Sequence, residues 1–187
     1  MSRTPSNMLS LGTIAPNFNL LDTVTNTILN LQNIKGNHGT VIMFISNHCP
    51  FVKHINTRIS LMAKEYVNKG IGFIAICSND VKNYPLDAPH LMKQLAHDED
   101  FTFPYLYDET QEIAKNYDAA CTPDFYLFNS NLELVYRGQL DNSRPENGIP
   151  VTGINLCNAI DALLLGNPIN PIQKPSIGCN IKWIDSK

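Results

Sequence analysis

Apolar residues along the chain follow two patterns, short continuous runs and runs spaced by three or four positions. Residues 41–45 and 71–77 are continuous β-branched and aromatic runs, which are typical of strands covered on both faces. Between them, one predicted helical face ends at Gly70 and consists of Phe51, Ile55, Ile59, Met62 and Tyr66. A strand, a helix and a second strand in this order predict a parallel βαβ unit at the centre of the fold.

The flanking segments predict a mixed sheet. Residues 12–31 alternate short apolar groups with turn formers, and this pattern predicts an N-terminal β-hairpin. Residues 125–128 and 134–136 flank an Asn-Ser-Asn turn and predict a second, antiparallel hairpin. Further helices are predicted near residues 91–96, 109–117 and 154–164.

The C-terminal segment is rich in proline. After Gly166, prolines at 168, 171 and 175 disfavour regular structure, so residues 166–187 are predicted to run along the surface as an extended tail. With 187 residues in all, the chain is expected to form one domain over 1–187.

Composition and charge exclude several classes of protein. Hydrophobic residues make up 43% and charged residues 17%, which suits a folded chain with a substantial core. The net charge of −3 and the lack of a basic stretch argue against nucleic acid or an anionic membrane as a partner. No apolar run is long enough to cross a bilayer, and residues 1–11 lack the apolar core of a signal peptide. We therefore expect a cytoplasmic protein.

Five dispersed cysteines are the main chemical signal. An odd, widely spaced set of cysteines is unlike the dense disulfide framework of a small secreted domain. We therefore expect free or redox-active thiols. Cys77 and Cys157 lie on apolar patterns and are predicted to be core residues. His48, Cys49 and His54 lack the paired spacing of metal ligands, and we expect neither a metal nor another cofactor.

Cys49 lies at the turn from the first predicted strand into the long predicted helix. A helix N-terminus favours thiolate over thiol, and Pro50 suits the first helical turn. Ser46 places a hydroxyl three residues earlier, where it can donate to the sulfur, and His48 and Lys53 can add positive charge. Cys49 is therefore the predicted redox residue.

Cys121, Thr122 and Pro123 precede the strand at 125–128. A proline that opens a strand is sterically permitted, and a cis Thr122–Pro123 bond would present Thr122 to a neighbouring site. Cys121 can face Cys49 across this loop or pack beneath the turn. Cys179, beside Gly178 in the tail, can be an exposed resolving thiol, but an anchoring role for Ile181 and Trp183 explains the tail equally well.

Six stretches resemble thioredoxin-fold proteins of the AhpC/TSA (redoxin) type, and more closely a peroxiredoxin-like subgroup of thioredoxin-family proteins. They are Leu11-Gly12 with Ala15-Pro16-Asn17-Phe18, Asn47 to His54, Cys121 to Phe125, Asp141 to Pro145, Pro150 to Gly153, and Gly178 to Trp183. The resemblance implies a thioredoxin-like three-layer α/β fold with a mixed central sheet, an N-terminal β-hairpin and an extended C-terminal tail. It also implies a redox neighbourhood around Cys49.

The motif around Cys49 departs from both parent patterns. Thioredoxins carry Cys-x-x-Cys here, and because the first position is Ser46, disulfide exchange within the motif is impossible. Peroxiredoxins carry Thr-x-x-Cys, which Ser46 to Cys49 imitates. However, the expected arginine is missing around Thr122 and Pro123, and Ile42 replaces the expected proline. Without that arginine a peroxide loses a charged donor, which weakens the case for a fast peroxidase.

These residues predict a thiol oxidoreductase that acts through Cys49, with a thiol reductant or a protein disulfide as its partner. An oxidised Cys49 needs a distant thiol to resolve it, and we expect Cys121 before Cys179 in that role. One alternative is a weak thiol peroxidase that passes through a sulfenic acid. The other is a catalytically silent binding module that docks an extended peptide at Thr122 and Pro123.

Overall fold

The computed structural model describes residues 3–184, and over that range it contains ten strands, six α-helices and one short 3₁₀ helix. The strands are β1 (Arg3–Pro5), β2 (Asn19–Asp22), β3 (Thr27–Asn30), β4 (Gly39–Phe44), β5 (Ile71–Cys77), β6 (Tyr105–Tyr107), β7 (Cys121–Thr122), β8 (Asp124–Asn129), β9 (Leu134–Gly138) and β10 (Ile177–Asn180). The helices are α1 (Leu31–Ile34), α2 (Pro50–Lys53), α3 (Asn56–Val67), α4 (Pro89–Asp98), α5 (Glu112–Asn116) and α6 (Ile154–Leu164), with the 3₁₀ turn at Pro85–Asp87. Within residues 3–184, no helix has the length and apolar character to span a membrane.

The main sheet has seven strands in the order β3-β2-β6-β5-β4-β8-β9. β4 pairs in parallel with β5 and antiparallel with β8, and β5 pairs in parallel with β6. This confirms the predicted central parallel pair, the mixed sheet and both hairpins, β2–β3 and β8–β9. All six residues of β4 are buried, as a strand covered on both faces requires.

Helices cover the two faces of this sheet and give the predicted three-layer α/β architecture. Alternate residues of a strand point to opposite faces, so Val41 and Met43 pack with α3, α4 and α6, whereas Ile42 and Phe44 pack with α1 and α5. Cys49 and Cys179 both lie in the first of these two apolar clusters. The sheet face under α3 and α6 is therefore the one that reaches the cysteines.

Several sequence-based boundaries need correction. The single helix predicted between the two central strands is split into α2 and α3, because the chain leaves the helical path at Ile55, whose φ is −116°. The helix predicted at 109–117 is shorter, from Glu112 to Asn116. Strands β1 and β6 were not predicted, since three-residue strands carry almost no periodic signal.

The tail is more ordered than its prolines suggest. Its last proline is Pro175, and the residues that follow form β10, which pairs antiparallel with β7 on one side and β1 on the other. Gly178 makes this approach possible, because a Cβ atom at this position would lie 1.9 Å from the Thr122 carbonyl oxygen. The prediction that the whole tail lacks regular structure was therefore wrong for residues 177–180.

Replacing Gly178 with alanine is expected to destabilise the protein by about 1–3 kcal/mol, since the new methyl group meets main-chain atoms that must shift. Urea unfolding of the variant would measure this loss. Ile172→Ala is the control, because this tail side chain is 87% exposed and its truncation should change the free energy of unfolding by less than about 0.5 kcal/mol. Equal stability of the Gly178→Ala protein and the wild type would contradict the close contact.

Candidate active site

Cys49 lies between the end of β4 and the start of α2, as the sequence predicts. It is the N-cap residue of α2 with Pro50 in the first turn, and its carbonyl oxygen accepts the N–H groups of Val52 and Lys53 at 3.1 and 3.0 Å. Its side chain is completely buried. The sulfur is thus fixed inside the protein rather than displayed at the surface.

The sulfur of Cys49 contacts the loop that opens strand β8. The Cys49 thiol donates a hydrogen bond to the Thr122 carbonyl oxygen at 3.1 Å. The Thr122–Pro123 peptide bond is cis, which confirms the prediction for this bond and its position against Cys49. The structure therefore brings Cys49, Thr122 and Pro123 together.

Cys179 lies beside Cys49. In the antiparallel β10–β7 pair, Cys179 is opposite Thr122, and paired residues project to the same face of a sheet. The pKa of Cys179 is raised to about 12, first by burial and then by the neighbouring Cys49 thiol. The two cysteines are far apart in the sequence, and their sulfurs lie close together beside the Thr122 carbonyl group.

Cys121 belongs to the opposite face of the same ribbon, where it is paired with Asn180. Its sulfur lies 3.7 Å from the Pro123 carbonyl oxygen, and burial, followed by the nearby Asp124 carboxylate, raises its pKa. It lies in neither of the two apolar clusters formed by residues 3–184, whereas Cys49 and Cys179 share one. Cys49 and Cys179 also raise the pKa of Cys121, so it lies near both thiols. The hydrogen-bonded contact of Cys179 with Cys49 nevertheless favours Cys179 as the partner of Cys49, the reverse of our expected order.

Ser46 does not support the sulfur in the way that its spacing suggested. Among the described residues, its hydroxyl oxygen has His48 Nδ1 as its side-chain partner at 3.3 Å, rather than Cys49. The His48 ring is turned toward a carboxylate, Asp87, with Nδ1 2.6 Å from Oδ2. The hydroxyl and the imidazole therefore belong to a polar cluster next to the thiol site.

Asp87 organises this polar cluster. Its carboxylate is fully buried and accepts hydrogen bonds from the Asn47 N–H at 2.7 Å, from His48 Nδ1 and from Asn79 Nδ2 at 2.8 Å. Burial alone would raise the pKa of Asp87, but the donors, His48 first, outweigh it and lower that pKa. Sequence reasoning missed Asp87. The available signal was that loops after two adjacent parallel strands, β4 and β5, meet at the same sheet edge.

The charged donor missing near Thr122 is not supplied directly by Arg144. Its guanidinium donates to the carbonyl oxygens of Asp141 and Ser143 at 2.7 and 2.6 Å and to Gln139 Oε1 at 2.6 Å. Arg144 lines a shallow depression with Phe51 and Pro123, so it is nearby but already engaged. Across residues 3–184, no group of three or more His, Cys, Asp or Glu side chains is placed to hold a metal ion.

Comparisons with known proteins identify the family and structures of the same fold. Residues 11–137 match the sequence profile of the AhpC/TSA family. A crystal structure of an uncharacterised conserved protein from Geobacillus kaustophilus has a TM-score of 0.98 to this chain. The two sequences are 55% identical, and the match covers 100% of this chain and 99% of that protein's chain. A hypothetical protein from Sinorhizobium meliloti 1021 is 42% identical over 98% of this chain and 100% of its own, with a TM-score of 0.95.

More distant structures share the thioredoxin-like fold. A secreted disulfide oxidoreductase from Mycobacterium tuberculosis, homologous to E. coli DsbE, is 16% identical, with a TM-score of 0.59, over 78% of this chain and 95% of its own. This likeness confirms the predicted fold class. No functionally curated protein matches the sequence at significant similarity.

Asp124, next to Pro123, should give the protein a pH-dependent stability. Burial raises the pKa of Asp124 to about 8, against about 3.9 for an unfolded chain. Between these values the folded state holds a proton that the unfolded state has lost, so stability falls as pH rises through this window. In Asp124→Asn this loss is absent, and the variant should therefore gain stability relative to the wild type as pH rises.

Urea unfolding at pH values of about 5 and about 9 measures this difference. Glu146→Gln serves as the control because Glu146 is exposed. A stability difference between Asp124→Asn and the wild type that is the same at both pH values would show that Asp124 does not titrate between them.

Proposed function

The chain belongs to the AhpC/TSA family, and from that premise we propose that it is a thiol oxidoreductase that acts through Cys49, with Cys179 as its second thiol. The observation that carries this proposal is the placement of the Cys179 thiol against the Cys49 thiol, at the Thr122 carbonyl group. A dithiol formed in this way replaces the Cys-x-x-Cys pair that Ser46 rules out.

The proposed reaction is a two-electron thiol–disulfide exchange. The Cys49 thiolate attacks a substrate disulfide, forms a mixed disulfide and expels one substrate thiolate, which takes up a proton. Cys179 then attacks the Cys49 sulfur, so that a Cys49–Cys179 disulfide forms and the second substrate thiol leaves. The substrate disulfide is reduced to two thiols, while the two protein thiols lose two electrons and two protons.

A thiol reductant or a protein disulfide is the partner class for this reaction. Either one exchanges with the Cys49–Cys179 couple in the direction set by the relative reduction potentials. We place the reaction in the cytoplasm, since an odd and dispersed set of cysteines suits a reducing compartment.

A silent peptide-binding module fits the structure less well. β10 of the same chain pairs with one edge of β7, which is the end strand of the β1-β10-β7 sheet, so strand addition at Thr122 is restricted to the other edge. The main chain next to Pro123 is therefore covered by this chain's own C-terminal strand. The placement of Cys179 against Cys49, together with this partly covered edge, favours the enzyme over the binding module.

Substitution of each thiol in turn tests the proposal. Cys49→Ser should abolish exchange with a small disulfide, and Cys179→Ser should stop the reaction at a mixed disulfide on Cys49. Mass spectrometry of the wild type after mild oxidation should show a Cys49–Cys179 crosslink. A Cys49–Cys121 crosslink would return the second role to Cys121, and a Cys49→Ser protein with wild-type exchange would refute the proposed site.

Cys77→Ser is the matched control for these variants. Cys77 is equally buried, but it lies at the end of strand β5 and not at the Thr122 carbonyl group where Cys49 and Cys179 meet. The substitution should leave the rate of exchange per folded molecule unchanged. It should instead lower the free energy of unfolding by about 1–3 kcal/mol, because a hydroxyl is placed in an apolar strand.

Oxidation of Cys49 by hydrogen peroxide should be slow compared with that of a dedicated peroxidase. Three of the five N–H donors of Arg144 bind carbonyl oxygens of Gln139, Asp141 and Ser143, which hold its guanidinium in its own loop and not on a peroxide at Cys49. Stopped-flow measurement of the oxidation rate checks this. A rate equal to that of fast peroxidases would show that Arg144 leaves its partners or that the charged donor is dispensable.

A further inference from the structure

The His48 imidazole is held in a defined orientation beside the proposed site. Its Nδ1 lies 2.6 Å from Asp87 Oδ2, and its ring stacks on Tyr84 with centroids 5.4 Å apart and planes inclined by 13°. A hydrogen bond at one ring nitrogen and an aromatic ring against one face fix both the direction and the plane of the imidazole. Since the buried Asp87 carboxylate accepts from Nδ1, the lone pair or proton available for chemistry is at Nε2.

Nε2 is the side of the ring that remains accessible. Within residues 3–184 Nε2 has no hydrogen-bond partner. The His48 side chain is 15% exposed to solvent, whereas the Asp87 side chain is fully buried. The next residue in the chain is Cys49, whose Cα atom is about 3.8 Å from that of His48 across the peptide. Nε2 is therefore an oriented, accessible nitrogen on the residue that precedes Cys49, whose own thiol is directed to the Thr122 carbonyl oxygen.

Asp87 also links the two halves of the thiol couple. It binds the Asn47 N–H in the turn before Cys49, and Asn79 Nδ2 donates to its Oδ2 at 2.8 Å. The Oδ1 atom of the same Asn79 accepts the main-chain N–H of Lys182 at 2.8 Å, three residues after Cys179. One buried carboxylate thus connects the turn that carries Cys49 with the segment that carries Cys179.

We propose that His48 transfers protons in thiol–disulfide exchange at Cys49 and that Asp87 is the positioning residue that orients it. This inference rests on the proposed function. The Cys49 thiolate attacks the substrate disulfide, and the His48 imidazolium gives its Nε2 proton to the departing substrate thiolate. In the second step the Cys179 proton passes to the second leaving thiolate, and His48 regains its proton from solvent.

Two disulfide probes with different leaving groups test this role. Hydroxyethyl disulfide releases a basic alkyl thiolate that needs a proton, whereas dithionitrobenzoate releases an aromatic thiolate that leaves readily without one. In His48→Gln the amide can still donate to Asp87, but the titratable nitrogen is lost. The variant should react with the alkyl disulfide about 10²-fold more slowly than the wild type and with the aromatic disulfide at nearly the wild-type rate.

Asp87→Asn should show the same selectivity, with a smaller loss on the alkyl probe because the imidazole remains. His97→Gln is the matched control, since His97 is an exposed histidine 3.4 Å from a neighbouring carboxylate, Asp98, on α4. It should react with both probes at the wild-type rates.

The alternative outcomes are distinct. Equal slowing of His48→Gln on both probes would mean that His48 only supports the fold of the turn, and unchanged rates on both would mean that it has no role. Either result overturns the inference and leaves the Cys49–Cys179 couple intact. Failure of the wild type to react with either probe, or wild-type rates in Cys49→Ser, would instead overturn the proposed function and this inference with it.

Discussion

The close approach of Gly178 to the Thr122–Pro123 peptide is the contact on which the site depends. A Cβ atom at 178 would lie 1.9 Å from the Thr122 carbonyl oxygen and 3.0 Å from the Pro123 nitrogen, so only glycine allows β10 to pack this tightly. Because β10 lies there, Cys179 faces Thr122, and the same carbonyl group accepts the Cys49 thiol. One glycine therefore determines whether the two sulfurs meet.

The far end of the tail is held just as firmly. Gln111 Nε2 donates to the carbonyl oxygens of Ser78 and Lys182 at 2.6 and 2.8 Å, and its Oε1 accepts the Ile184 N–H at 2.7 Å. Gln111 itself has a φ of +64°, an uncommon conformation for a residue other than glycine. Its hydrogen bonds to the main chain of Lys182 and Ile184 offset the energetic cost of that conformation and hold the segment that follows β10 in place.

The sequence predicted the parts of this arrangement that depend on local pattern. The buried runs gave β4 and β5, and the position of Cys49 at a strand-to-helix turn followed from them. The pairing of β10 with β7 could not be predicted in this way, because a four-residue strand after three prolines has no periodic signal. Asp87 was missed for a related reason, since its partners His48 and Asn47 lie about forty residues earlier and only the sheet topology joins them.

In the proposed couple, the origin of the second thiol has a thermodynamic consequence. A disulfide within a Cys-x-x-Cys motif closes a very short loop and restrains the unfolded chain little. A bond between Cys49 and Cys179 closes a loop of more than 100 residues, which in the chain-entropy account destabilises the unfolded state by about 4–5 kcal/mol. Because both sulfurs are already neighbours in the folded dithiol form, the bond costs little native rearrangement. Oxidation should therefore stabilise this fold far more than it stabilises a protein with the two cysteines in one turn.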